Sequence, residues 1–210
     1  MDPWTAIETE RLALADDLGL LTDEDWDAQS LCAQWKIRHV VAHLVGATTM
    51  TTGAGMVGLA KSGFNMNRFM ARDAITRGDG NAPGVLLEQL RETAASHKTP
   101  PMTKPDDVLL EVVVHGEDIR RPLGLHRDFP AGTLVGAADR LKGYGFPFGV
   151  KKKIAGLQLQ ATDAEWSVGD GQVATGSLEA LVMAMAGRRV ALADLSGPGV
   201  GTLAERLPTA

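Results

Sequence analysis

Ile37-Arg38-His39-Val40-Val41-Ala42-His43-Leu44-Val45 sets apolar side chains at i, i+3, i+4, i+7 and i+8. That spacing is one face of an α-helix, and it predicts a helix from about residue 36 into the 48–52 region. Upstream, Ile7, Leu14, Leu18 and Leu21 form a second such stripe, predicting a first helix over 4–21. Thr22-Asp23-Glu24-Asp25 reads as a stop and a polar connection. Downstream, Gly53, Gly55 and Gly58 loosen the pattern. Phe64, Met66, Phe69 and Met70 predict a short helix before the turn at Gly78-Asp79-Gly80. Asn81 and Pro83 resemble a helix start, and Leu86, Leu90 and Ala94 carry a helix to about His97. A proline-punctuated loop follows over 99–105. Pro105-Asp106-Asp107 then opens another helix, because proline suits the first turn and acids favour its positive end. It runs through 108–119 and ends before Pro122.

The texture changes after Pro130. Ala131–Leu141 reads as a helix, and Leu157-Gln158-Leu159-Gln160-Ala161 alternates as a half-buried strand does. Glu165–Val168 reads as a second short strand closed by Gly169-Asp170-Gly171. Ser177 caps a helix over 178–187 with Glu179 in its first turn. Val190–Leu195 reads as a strand, and 200–207 as a last short helix. The expectation is therefore a four-helix bundle over residues 1–126, followed by a small α+β domain over 127–210.

With 44% hydrophobic and 22% charged residues the chain is an ordinary globular mixture. A single cysteine, Cys32, excludes an internal disulfide and any cysteine-cluster zinc site, and reads as a small packed residue. The start at Met1-Asp2-Pro3-Trp4 has no basic segment followed by an apolar core, so no signal peptide is expected. No apolar run approaches membrane-spanning length. A cytoplasmic protein that contacts no membrane is expected, and a monomer, because no exposed apolar stripe remains. Residues 1–30 hold nine acidic side chains against Arg11 alone, which argues against a nucleic-acid-binding arm. Lys151-Lys152-Lys153 is too short for a phosphate track. Gly197–Thr202 lacks the spacing and lysine of a phosphate loop and reads as a turn. Met183 and Met185 read as core.

Chemistry concentrates in the helix after Pro105. At ~100° per residue, Glu111, His115 and Asp118 share one face amid Val108, Val112, Val114 and Ile119. A carboxylate there needs a positive partner, because desolvating it unpaired is costly. Glu and His at i, i+4 can hold one metal ion together, and a third ligand must come from another helix. His43 lies at the edge of its helix's apolar stripe and can point inward. His39 lies nearly opposite that stripe and should face out, which disfavours a His39–His43 pair. His97, on the apolar face of its helix, is a rival. Asp118 suits orientation of His115 or of a cofactor group, or neutralisation of Arg120 and Arg121. Arg188 is a candidate to grip a substrate carboxylate bidentately.

Leu31-Cys32-Ala33-Gln34-Trp35-Lys36-Ile37-Arg38-His39-Val40-Val41-Ala42-His43-Leu44-Val45 resembles the second-helix motif of the mycothiol-dependent maleylpyruvate isomerase family. Glu111-Val112-Val113-Val114-His115-Gly116-Glu117-Asp118-Ile119 is similar to its fourth-helix motif, and 181–188 to a helix end in its C-terminal domain. The resemblance implies a DinB-like bundle followed by a sterol-carrier-like α+β domain. It implies a divalent metal, usually zinc, on His43, Glu111 and His115, and mycothiol as thiol cofactor with a small electrophilic substrate. The activity implied is an isomerase or a thiol S-transferase. Glu117 stands where family members often carry an aromatic residue. The competing readings are a noncatalytic small-molecule or lipid-binding protein with a structural metal, and a metal-dependent hydrolase.

Overall fold

A computed structural model describes residues 2–100, 103–145 and 149–208. Met1, and Pro101 and Met102 of the expected proline-rich connection, lie outside the described residues. The backbone divides into two compact units, residues 2–127 and residues from 128 onward.

The first unit is helical. Asp2 caps α1 (Pro3–Leu18) by accepting from Thr5 N–H, and Ile7, Leu14 and Leu18 are buried along its inner face. The segment expected as a polar connection instead holds α2 (Asp23–Asp27). Thr22 and Asp25 cap it reciprocally, each side chain bonding the other's backbone N–H. α3 (Ile37–Thr49) follows the expected stripe. The glycines at 53, 55 and 58, expected to loosen the helical pattern, sit in a helix of their own, α4 (Thr52–Lys61), capped by Thr51 and burying none of its residues. α5 (Met66–Asp79) is longer than expected, and α6 (Pro83–Glu92) stops five residues short of His97. α7 (Pro105–Arg120) starts at its proline, with Asp106 and Asp107 in the first turn, and runs into a 3-10 turn over Arg121–Leu123.

In the bundle α3 lies against α5, α6 and α7, and α1 against α6 and α7. The approach of α3 to α5 depends on Gly78. A β-carbon there would sit 2.6 Å from His39 Cδ2 and 3.2 Å from the Arg38 carbonyl oxygen. Gly78→Val is therefore expected to destabilise the protein by about 1–3 kcal/mol through overpacking. Gly84→Ala, facing open space, is not; urea denaturation of the two variants checks the contrast.

The second unit is α+β. It contains α8 (Ala131–Lys142), α9 (Val150–Lys153), α10 (Leu178–Met185) and α11 (Gly199–Arg206). Its three-stranded sheet has the order β2-β1-β3, with β1 at Leu157–Ala161, β2 at Ser167–Val168 and β3 at Gln172–Gly176. β1 pairs antiparallel with β2, and parallel with β3 in the register Leu159 to Ala174. Leu157, Leu159 and Ala161 face the core, as does most of α10, including Met183 and Met185. Sequence reading missed β3, and the strand it expected over 190–195 is a 3-10 helix, Arg189–Asp194. That segment coils before the chain reaches the sheet, where Ser196 makes an antiparallel bridge with Thr175 of β3. No described helix is long and apolar enough to cross a membrane.

Candidate metal centre

α3 and α7 lie side by side in the bundle, and their facing surfaces bring polar groups together. His43 Nε2 is 2.8 Å from Glu111 Oε1. The ligand atoms of His43, Glu111 and His115 all lie within 4.8 Å of one another. The two imidazole rings meet edge to face at 5.0 Å between centroids.

Burial pushes the Glu111 carboxyl toward the neutral form. The hydrogen bond from His43, and the positive fields of His43, His115 and Arg11, outweigh it and hold the group below the usual glutamate range. Glu111 is thus an anion at neutral pH, as a metal ligand must be. Arg11 belongs to this balance although it touches none of the three. Its buried guanidinium donates to the carbonyls of Thr93, Ala94 and Ser96 at 3.3, 3.2 and 3.0 Å, just beyond the end of α6.

Asp118, fully buried one turn further along α7, places Oδ2 2.9 Å from His115 Nδ1. With a carboxylate accepting at Nδ1, the Nε2 lone pair of His115 is left for a ligand. The thiol of Cys32 donates to the same Asp118 oxygen at 3.1 Å, with its sulfur 3.8 Å from His115 Nδ1. Cys32, His115 and Asp118 form a second group whose ligand atoms lie within 4.8 Å of one another. One imidazole thus joins two clusters.

The loop between α2 and α3 brings Cys32 here. Leu31 N–H donates to the Asp118 carbonyl at 3.0 Å. Gln29 Nε2 donates to the carbonyls of Ser30, Cys32 and Trp35, and Ser30 Oγ to that of Trp35. The same loop lays the Trp35 ring against both histidines, at 5.0 Å from His43 and 6.0 Å from His115. Sequence reading gave neither Cys32 nor Trp35 a place at the site. The position of Cys32 before the α3 motif was visible, but its approach to α7 is a tertiary contact without local signal.

The remaining expectations separate cleanly. His39 does not face out: it is buried, with Nε2 2.9 Å from Asp79 Oδ1 and Nδ1 accepting from Lys36 N–H. The reason is α5, which covers the side of α3 that the apolar stripe left open. His97 lies beyond α6, exposed and stacked on Trp4 at 4.4 Å, and is not in either cluster. Arg188 lies in the second unit, where Nη1 donates to the Ala186 carbonyl. Glu117 is buried, with Arg120 and Arg121 at 3.6 and 3.9 Å.

Residues 7–108 match the family model described as the mycothiol maleylpyruvate isomerase N-terminal domain. Two solved structures resemble the chain throughout. One is a histidine-to-alanine mutant of the mycothiol-dependent maleylpyruvate isomerase, at TM-score 0.60 and 17% identity over 94% of this chain and 92% of that one. The other is the mycothiol-dependent maleylpyruvate isomerase, at TM-score 0.58 and 17% identity over 89% and 88%. No curated protein matches the sequence. Residues 7–108 thus resemble the mycothiol maleylpyruvate isomerase N-terminal domain, and the chain as a whole has the helical-plus-α+β fold of the solved isomerases.

Proposed function

We propose that this protein is a mycothiol-dependent metalloenzyme acting on a small electrophile, as an isomerase of the maleylpyruvate type or as a thiol S-transferase. The observation that carries the reading is the convergence of His43, Glu111 and His115 from two helices. Two imidazoles and a carboxylate are the donor set of a three-ligand zinc site, which leaves a position for an exchangeable group. A divalent metal, zinc in this reading, supplies there the positive charge that keeps a coordinating thiol as its thiolate at neutral pH.

The chain's own residues do the rest. Glu111 is held ionised by His43, His115 and Arg11. Asp118 fixes the tautomer and orientation of His115. Trp35 sets its ring beside both imidazoles. Mycothiol brings the nucleophile, so none is needed from the chain. The reading carries with it a cytoplasmic monomer.

Mycothiol titration onto the zinc-loaded protein and onto the same protein after chelation tests the proposal. Binding is expected only with metal, at one thiol per chain. Metal-independent binding, or none, overturns it. Turnover of an activated ester without thiol would instead assign the triad to a hydrolase. Asp118→Ala is expected to weaken zinc binding about 10- to 100-fold in a chelator competition, as loss of a group that orients a histidine ligand does.

A further inference from the structure

A cavity of about 370 Å³ opens against His43, and its chemistry differs from that of the cluster behind it. Its wall is built from Met50, Met56, Met66, Met70 and Phe69, contributed by α4, α5 and the end of α3. Methionine side chains are flexible and polarisable, and line sites that adapt to apolar ligands of varied shape. The size is that of a small-molecule pocket.

The two acid–base side chains in the wall besides His43 are engaged. Asp73 receives Arg77 Nε at 3.4 Å, and Lys98 Nζ donates to the Met50 carbonyl at 2.6 Å. No arginine lines the cavity among the described residues. A doubly charged acid would therefore shed much of its hydration here without a bidentate partner.

α4 forms one side of this cavity. It buries none of its residues, and Met56 stays 61% exposed. Its seat on α5 depends on Gly58, where a β-carbon would collide with the Phe69 ring. An apolar helix laid over an apolar cavity leaves methionine surface for a ligand to cover.

We propose that this cavity binds the apolar body of the substrate, so that the substrate class is a hydrophobic electrophile with an alkyl or aryl group rather than a small dicarboxylate. The electrophilic end lies toward His43 and the apolar end toward Met56, Met66 and Phe69. The identity of the occupant as a substrate rests on the proposed thiol-dependent function. The apolar preference of the cavity stands apart from it.

The test is calorimetric binding of unreactive n-alkanols of increasing length, with maleate as the dicarboxylate probe, on the zinc-loaded full chain without mycothiol. Affinity is expected to rise about three- to fourfold per methylene until the cavity is filled, with maleate weaker than the long alkanols. Ala47→Phe and Gly55→Leu place bulk into the wall and are expected to weaken the longest alkanol about tenfold. Gly55→Leu sits on a helix with no buried residue, so it remains informative if Ala47→Phe does not fold. A flat series, tighter maleate, or no effect of the folded variants overturns the proposal. Mycothiol titration of the same samples keeps the two readings apart. A rising series without thiol binding removes the enzyme reading and leaves the cavity a hydrophobic site; thiol binding with a flat series does the reverse.

Discussion

Zinc content is expected to fall from about one ion per chain to near zero when His115 or His43 is replaced by alanine, measured by elemental analysis after dialysis. Either change leaves two of the three converging groups. His115→Ala also leaves Asp118 with Cys32 alone of the two cluster partners described above. The imidazole of His115 is partly exposed, at 15% of its side chain, so its removal opens little of the core and the fold should persist. Cys32→Ala supplies the contrast. It removes a member of the second cluster and none of the first, so it should keep its zinc. Loss of metal in Cys32→Ala with retention in His43→Ala would move the ion to Cys32, His115 and Asp118. Retention in both histidine variants would remove the metal reading altogether.

The second large effect is on stability. Arg127→Leu is expected to cost about 1–3 kcal/mol in urea denaturation, as leaving a buried acceptor without its donor does; Arg127 itself keeps 23% of its side chain exposed. Glu10 on α1 is only 1% exposed, and Arg127 reaches it with two bonds, Nε to Oε2 at 3.0 Å and Nη2 to Oε1 at 3.1 Å. Without the guanidinium, an anion stays in the apolar interior of the bundle. The double variant Glu10→Leu, Arg127→Leu should recover much of the loss, because the buried carboxylate is removed together with the guanidinium that met it. A single variant within about 1 kcal/mol of wild type would place the pair among ordinary surface bridges.

The sequence was readable where one local signal governed. The stripe of α3, the proline and acids opening α7, and Ser177 before α10 each act within a turn of the chain. It was misread where a local signal met an unseen surface. The glycines of α4 suggested a loosened helical pattern, but capping by Thr51 and the Met50 and Phe69 surfaces outweigh their low helix propensity. β3 carries glutamine, threonine and glycine, and its pattern gains meaning only beside β1. At the candidate site, the wheel of α7 puts Glu111, His115 and Asp118 on one face, a property of a single helix. Which histidine faces them depends on how α3 and α7 meet. Cys32 and Trp35 arrive on a loop held by Gln29, Ser30 and the Leu31 to Asp118 bond, and no spacing announces that.

The short connection between the parallel strands β1 and β3 bears on the order of folding. β1 and β3 are parallel, yet they are joined by residues 162–171, with β2 as the return strand. Gly169 and Gly171, at φ +80° and +138°, carry the chain past the Leu157 and Gly156 carbonyls, where a side chain would collide. Parallel neighbours are ordinarily joined through a dozen or more residues and a helix. Here the closing loop is short, so its entropy cost is small, and all three strands come from one local stretch of chain. The sheet can therefore assemble early and offer β1 and β3 as a template on which α10 and α11 condense.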